Sequence, residues 1–98
     1  MGRSRRDDLE ICMEILEFLE SSYSSISITE IISHARIKHS KAKQLIQSMI
    51  DSEWIAEVTS FESDARYKQF YQILEEGQKV IAYYRENLAK IFEFMGKY

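Results

Sequence analysis

The sequence predicts an α+β domain that is mainly helical, with its elements in the order α-β-α-α-β-β-α. Four segments carry apolar residues at intervals of three and four, which is the spacing of helices that are buried on one face. Residues 55–61 and 66–73 break that spacing, and their β-branched and aromatic content is typical of the two strands of a hairpin. The length of 98 residues allows one small domain and leaves no room for a second.

The first predicted helix runs from Asp7 or Asp8 to Glu20, with the aspartates at the end where the helix dipole favours negative charge. Its apolar residues form two stripes at helical spacing: Leu9, Cys12, Leu16 and Leu19 in one, and Ile11, Ile15 and Phe18 in the other. An apolar arc this wide predicts contact with more than one neighbour. The polar residues 21–25 that follow are expected to form a loop.

A short strand, a short helix and a longer helix are predicted next. Residues 26–28 alternate as a strand does, and Thr29 is the expected N-cap of a helix over residues 30–35. Residues 36–38 then interrupt the pattern as a tight turn. The longer helix is predicted over residues 39–52. One of its faces is polar, and the opposite face is apolar and is formed by Ala42, Leu45, Ile46, Met49 and Ile50.

Charge is distributed unevenly along the chain. The whole sequence has a net charge of −3 and a pI near 5.4, which by itself argues against a nucleic-acid partner. Residues 31–50, however, contain four basic residues and no acid: Arg36, Lys38, Lys41 and Lys43. A basic island between acidic segments predicts an oriented phosphate-binding face, and the alternative is a solvated helix face that happens to be basic.

The last predicted helix begins at Glu75 and ends near Met95, which makes it about 31 Å long at 1.5 Å per residue. Its apolar residues alternate at intervals of three and four over about two heptad repeats, and Phe92 widens this apolar seam. A helix of that length extends beyond so small a domain, so we predict a homodimer interface formed by Ile81, Tyr84, Leu88, Ile91, Phe92 and Met95. The alternative is a helix that folds entirely onto its own domain.

The composition excludes several classes of protein. No apolar run approaches the roughly 20 residues that span a bilayer, and no signal peptide is expected at the N-terminus. The single cysteine, Cys12, rules out an intrachain disulfide and favours a reducing, cytoplasmic environment, although an interchain disulfide stays open. One cysteine and two histidines are too few for a tetrahedral zinc site without carboxylate help, and the three glycines form no phosphate-binding loop. Nothing places a nucleophile beside a base, so neither enzymatic activity nor a cofactor is expected.

Residues 28–55, ITEIISHARIKHSKAKQLIQSMIDSEWI, resemble winged-helix transcription regulators. The resemblance is greatest to the small archaeal winged-helix DNA-binding proteins that dimerise through a C-terminal helix. After the wing, that family commonly shows Tyr-x-Leu-Thr-x-x-Gly. This chain has Tyr-Gln-Ile-Leu-Glu-Glu-Gly at residues 71–77, so Leu74 stands where the helix-capping threonine is expected. The resemblance covers about residues 9–92 and implies a winged helix-turn-helix fold.

The resemblance also implies a division of the chain and a function. It divides the chain into a winged-helix domain at residues 8–74, with its wing at 55–73, and a dimerisation helix at 75–96. Within residues 1–7, Arg3, Arg5 and Arg6 predict a basic N-terminal arm, and the alternative is a ragged terminus. The implied function is sequence-specific binding of double-stranded DNA by a homodimer, with the helix at 39–52 in the major groove of a pseudo-palindromic site. The alternatives are a protein–protein assembly module and a non-specific architectural DNA-binding protein.

Nine residues are expected to contact DNA: Lys38, His39, Ser40, Lys41, Lys43, Gln44, Gln47, Arg66 and Lys68. Gln44 and Gln47 can pair with the adenine edge, and Lys41 or Lys43 can reach guanine or a phosphate. Ser40, at the start of the helix, suits a phosphate oxygen. Arg66 and Lys68 lie on the second hairpin strand and are expected to touch the DNA backbone or the minor groove, although two acids in the same hairpin oppose that contact.

Overall fold

The computed structural model describes residues 7–22, 25–61 and 67–94, with elements in the predicted order. The elements are α1 (Asp8–Glu20), β1 (Ile26–Ser27), α2 (Ile28–Ala35), α3 (His39–Asp51), β2 (Ile55–Phe61), β3 (Tyr67–Ile73) and α4 (Glu75–Phe94). The predicted α+β, mainly helical class is therefore confirmed. Residues 1–6 of the predicted basic N-terminal arm, the tip of the predicted hairpin and Met95 lie outside the described residues. Asp7, the last residue assigned to that arm, is instead the N-cap of α1.

Both of the first two helices begin with a reciprocal pair of side-chain caps. The Asp7 carboxylate accepts the Glu10 N–H at 2.9 Å, and the Glu10 carboxylate accepts the Asp7 N–H at 3.1 Å. In α2 the same arrangement joins Ser27 to Glu30. The prediction that Thr29 caps this helix is wrong, because the Ser27 hydroxyl takes the Glu30 N–H and the helix begins at Ile28.

The three strands form one antiparallel sheet in the order β1-β3-β2. The hairpin of β2 and β3 is in register from Ile55 opposite Ile73 to Phe61 opposite Tyr67. The short β1 adds its two residues to the other edge of β3, where Ile26 lies opposite Tyr71. The sheet is therefore a long hairpin whose base is anchored beside the helices.

The hydrophobic core is built around α1, and each of the seven elements contributes at least one buried residue. Leu9 is an exception to the predicted apolar stripe, since its side chain is 52% exposed while Cys12, Leu16 and Leu19 are buried. Within the part of the chain that the structure describes, this face of α1 is covered from Cys12 onward. Leu9 is therefore a surface residue.

The first half of α4 belongs to the same core. Ile81 is 0% exposed and lies within the core cluster. On the surface, the Arg85 guanidinium joins α4 to α1 through Glu17 at 3.2 Å and Glu20 at 2.7 Å. Ile81 is the first residue of the predicted dimer interface, but a second copy could not reach it, because its own protomer already encloses it.

Candidate nucleic-acid interface

The turn between α2 and α3 sets the orientation of α3. Arg36 ends α2 in the left-handed conformation, with φ of 59°, and its N–H donates to the Ile32 carbonyl at 2.8 Å. Ile37 packs against the core, and Lys38 is extended at the N-cap of α3. The predicted tight turn over residues 36–38 is thus held by one backbone conformation and one apolar contact.

α3 has one buried face and one exposed face. Ala42, Leu45, Ile46 and Met49 are buried, as the spacing predicted. The opposite face is exposed and carries His39, Ser40, Lys43, Gln44, Gln47 and Ser48. Because the apolar face is fixed in the core, the polar side chains are presented on a rigid element of the surface.

The N-terminus of α3 differs from those of α1 and α2. Those two helices each carry a capping box and an acid in the first turn. At α3, by contrast, Lys38 makes no side-chain cap hydrogen bond, and the first turn holds no acid. The positive end of this helix dipole therefore carries basic residues of its own, Lys38 and Lys41, and is suited to an anion.

Two of the predicted DNA-contacting side chains already have partners within the chain. The Lys41 ammonium lies 3.1 Å from the Asp8 carboxylate of α1. The Gln47 amide nitrogen donates to Asp51 Oδ1 at 2.9 Å. Both contacts are exposed, so neither removes its side chain from the surface.

A groove lies where α1, the turn and α3 meet. It is lined by Ile11, Arg36, Ile37, Lys38, Ser40, Lys41 and Gln44. Arg36 was not among the predicted contact residues, although the count of basic residues in the window included it. Arg36 lies in the turn, and the predicted contacts belong to α3, its N-cap and the predicted second hairpin strand.

Comparison with protein families decides the classification. A model described as winged helix-turn-helix matches residues 5–92 of the chain. The protein belongs to the winged helix-turn-helix family. Among curated proteins, none matches the chain in sequence.

Solved structures share this winged helix-turn-helix fold. The chain is similar to smu.1704 from Streptococcus mutans UA159, with a TM-score of 0.78 and 16% identity over 99% of this chain and 97% of that one. It is similar to a PadR family transcription regulator from Clostridium difficile R20291, with a TM-score of 0.73 and 18% identity over 88% and 98% of the two chains. The PadR of Bacillus subtilis, solved in complex with operator DNA, gives a TM-score of 0.66 and 18% identity over 76% of this chain and 45% of that one. All three are bacterial, and the narrower resemblance to small archaeal proteins stays a prediction.

Within this winged helix-turn-helix, α2 and α3 form the helix pair, and β2 and β3 form the wing. Arg66 lies outside the described residues, and so does the side chain of Lys68. Their predicted contacts with DNA stay predictions. None of the helices within the described ranges is long and apolar enough to cross a membrane.

The predicted dimer seam on α4 is described only in part. Ile81 is in the core, Tyr84 is half-buried against that core, and Leu88 is 36% exposed. The side chains of Ile91 and Phe92, like Met95, lie outside the described residues. The surface available to a second copy therefore begins at the exposed part of Tyr84.

His34 and Cys12, whose side chains are capable of acid–base or redox chemistry, are both packed against other residues of the fold. The His34 ring stacks on Phe18, with the ring centres 4.0 Å apart and the planes 2° from parallel. Cys12 is a buried free cysteine, and burial, with a smaller effect of the Asp8 charge, raises its pKa to about 11. At neutral pH it is a protonated thiol enclosed by its own protomer, which disfavours the interchain disulfide that the sequence left open.

Proposed function

We propose that this winged helix-turn-helix protein is a transcription regulator that binds double-stranded DNA in a sequence-specific manner. The observation that carries the proposal is the exposed polar face of α3, which is fixed by a buried apolar face and flanked by the basic residues of the turn. An α-helix is about 10–12 Å in diameter with its side chains and so fits a major groove about 12 Å wide, and the 13 residues of α3 extend about 20 Å along it.

The side chains on that face suit both parts of a DNA contact. Gln44 and Gln47 can each offer an amide oxygen and an amide N–H to the adenine edge, whereas Lys43 can reach guanine O6 and N7. The N-terminus of α3, with Lys38 and Ser40, is suited to a phosphate oxygen. Phosphate contacts would position the helix, and the glutamines would read the bases.

The complex of PadR from Bacillus subtilis with operator DNA supports the proposal that this protein binds DNA, since that protein has a similar fold. Overall acidity does not oppose it. The net charge of −3 is the sum over the whole chain, whereas residues 31–50 carry four basic residues and no acid. Local charge, and not net charge, determines which face approaches the phosphates.

We further propose that the protein acts as a homodimer through the distal part of α4. Leu88 lies seven residues after Ile81, on the same face and about 10 Å further along the helix. Ile81 is fully buried and Leu88 is partly exposed, so the protomer stops covering this face between the two. A second copy would bury Leu88, and the interface would include Ile91, Phe92 and Met95 as well.

The symmetry of such a dimer determines the form of its target. Two copies of α3 related by a twofold axis would read an inverted repeat, with half-sites about 34 Å apart, or one turn of DNA. If each protomer neutralises about three phosphates, log K against log salt should have a slope near −5 for the dimer.

Selection of bound sequences from a random duplex pool tests the proposal directly. An enriched inverted repeat is the expected result. Binding without enrichment would favour an architectural protein, and no binding at low salt would favour an assembly module. Lys43→Ala should weaken binding and reduce the salt slope by about 0.9 per protomer, whereas the exposed control Lys79→Ala on α4 should leave both unchanged.

A further inference from the structure

One ion pair connects the acidic start of α1 to the basic surface of α3. The Lys41 ammonium donates to Asp8 Oδ1 at 3.1 Å, and the two side chains are 39% and 56% exposed. The same Lys41 lines the groove with Arg36, Lys38 and Ser40. A carboxylate therefore holds one of the cations on the surface that the proposed function assigns to DNA.

We infer that Asp8 competes with DNA phosphate for Lys41 and so lowers the affinity of the protein for duplex DNA. This inference rests on the proposed function and names a residue that tunes the same site. A solvent-exposed ion pair is weak, so a phosphate can displace it. The displaced Asp8 carboxylate then lies close to the phosphate, which adds repulsion to the lost ion pair.

The neighbouring acids of α1 are held in a different way. Asp7 accepts the Glu10 N–H at 2.9 Å, and Glu10 accepts the Asp7 N–H at 3.1 Å. These two carboxylates are engaged with the backbone at the start of their own helix. Asp8 is the acid of this turn that faces α3, so its effect on DNA binding can be separated from theirs.

This difference supplies a matched pair of variants. Asp8→Asn and Asp7→Asn make the same charge change one residue apart, and asparagine is as good an N-cap as aspartate. Each variant is titrated with a random-sequence duplex by fluorescence anisotropy between 50 and 200 mM KCl. Thermal melts establish that both variants are folded.

Asp8→Asn should bind about three-fold more tightly than wild type at 100 mM KCl. Its salt slope should stay close to the wild-type value, because a phosphate displaces Asp8 from Lys41 in wild type and the same number of phosphates is neutralised in both proteins. Asp7→Asn should change the affinity by less than about two-fold and leave the slope unaltered. In a Lys41→Ala background, Asp8→Asn should lose its specific gain and match Asp7→Asn.

Two results would overturn the inference while leaving the proposed function intact. In one, Asp8→Asn and Asp7→Asn behave alike, which indicates a general effect of charge. In the other, Asp8→Asn matches wild type although Lys43→Ala weakens binding. A wild-type protein that binds no duplex at low salt would instead overturn the proposed function, and this inference with it.

Discussion

Gly77, in the first turn of α4, packs directly on the carbonyl group of Trp54, which precedes β2. A Cβ atom at Gly77 would overlap the Trp54 oxygen and lie 2.8 Å from Ile73 Cγ1. The same oxygen accepts the Leu74 N–H at 2.9 Å. The start of β2, the end of β3 and the start of α4 therefore meet at one point, and only glycine lets them approach so closely.

Gly77→Ala should destabilise the protein by about 1–3 kcal/mol, because a methyl group has no space beside the Trp54 carbonyl. In a helix without this contact, alanine would be more stable than glycine by about 1 kcal/mol. A loss of stability in Gly77→Ala would therefore indicate the close contact with Trp54. The free energy of unfolding can be measured by urea denaturation, with the exposed Gln78→Ala as control. A Gly77→Ala protein as stable as wild type would show that α4 is not packed in this way.

The end of α3 contains a second backbone constraint. Glu53 has φ of 64°, its N–H donates to the Ile50 carbonyl at 2.9 Å, and the Trp54 N–H donates to the Met49 carbonyl at 2.9 Å. This is a Schellman motif with glutamate at the position that glycine usually occupies. The left-handed conformation costs a non-glycine residue about 1–2 kcal/mol.

Glu53→Gly should therefore stabilise the protein, by about 0.5–1 kcal/mol once the greater freedom of the unfolded chain is subtracted. The neighbour Ser52 has φ of −87° and is the control, since Ser52→Gly should bring no gain. Chemical denaturation of both variants measures the difference. A Glu53→Gly protein that is no more stable than wild type, or an equal gain at Ser52, would contradict the assigned helix end.

Periodicity predicted most of the helical structure because burial on one face leaves a regular trace in the sequence. Four of the five apolar residues predicted for α3 are buried, namely Ala42, Leu45, Ile46 and Met49, and the fifth, Ile50, is half-buried against the core. What periodicity could not predict is which neighbour covers a face. Leu9 and Ile81 both lie on apolar stripes, yet the first is exposed and the second is enclosed by its own protomer.

Local signals were also open to more than one interpretation. Ser27 and Glu30 have the spacing of a capping box. Because residues 26–28 alternate as a strand does, the sequence predicts Ser27 within the strand and Thr29 as the N-cap. At the candidate site, the Asp8–Lys41 pair joins residues 33 positions apart. Contacts of that separation depend on how helices cross, and spacing within one helix carries no trace of them.

The buried thiol of Cys12 makes stability depend on pH in the alkaline range. Its pKa rises from 9.0 to about 11 on folding, chiefly because burial disfavours the thiolate. Between these values the unfolded chain loses its proton first, so raising the pH favours unfolding. About 2 kcal/mol should be lost between pH 8 and pH 10.5 through this group.

Comparison with Cys12→Ala isolates that contribution. Burial also raises the pKa of Tyr71, with the Glu57 charge as a smaller cause, so part of the alkaline loss should persist in the variant. Unfolding is measured under reducing conditions at both pH values, and the change with pH is compared because the variant also loses packing. Identical pH dependence in the two proteins would place the thiol in solvent.

Leu88 offers the sharpest test of the proposed dimer. Leu88→Glu places a charge on the face of α4 where the protomer's own cover ends, and it should shift the protein from dimer to monomer in analytical ultracentrifugation. Ala82→Glu is the matched control, because Ala82 is exposed on another side of the same helix. It should leave the dimer intact.

The same pair of variants separates the dimer from the DNA-binding surface. A monomeric Leu88→Glu protein still carries an intact α3, so it should keep weak binding to a single half-site and lose the tighter binding to an inverted repeat. Its salt slope should fall to about half the dimer value, since half as many phosphates are neutralised. If wild type and Leu88→Glu sediment alike, the face beyond Tyr84 is not the interface, and the spacing of half-sites must be set elsewhere.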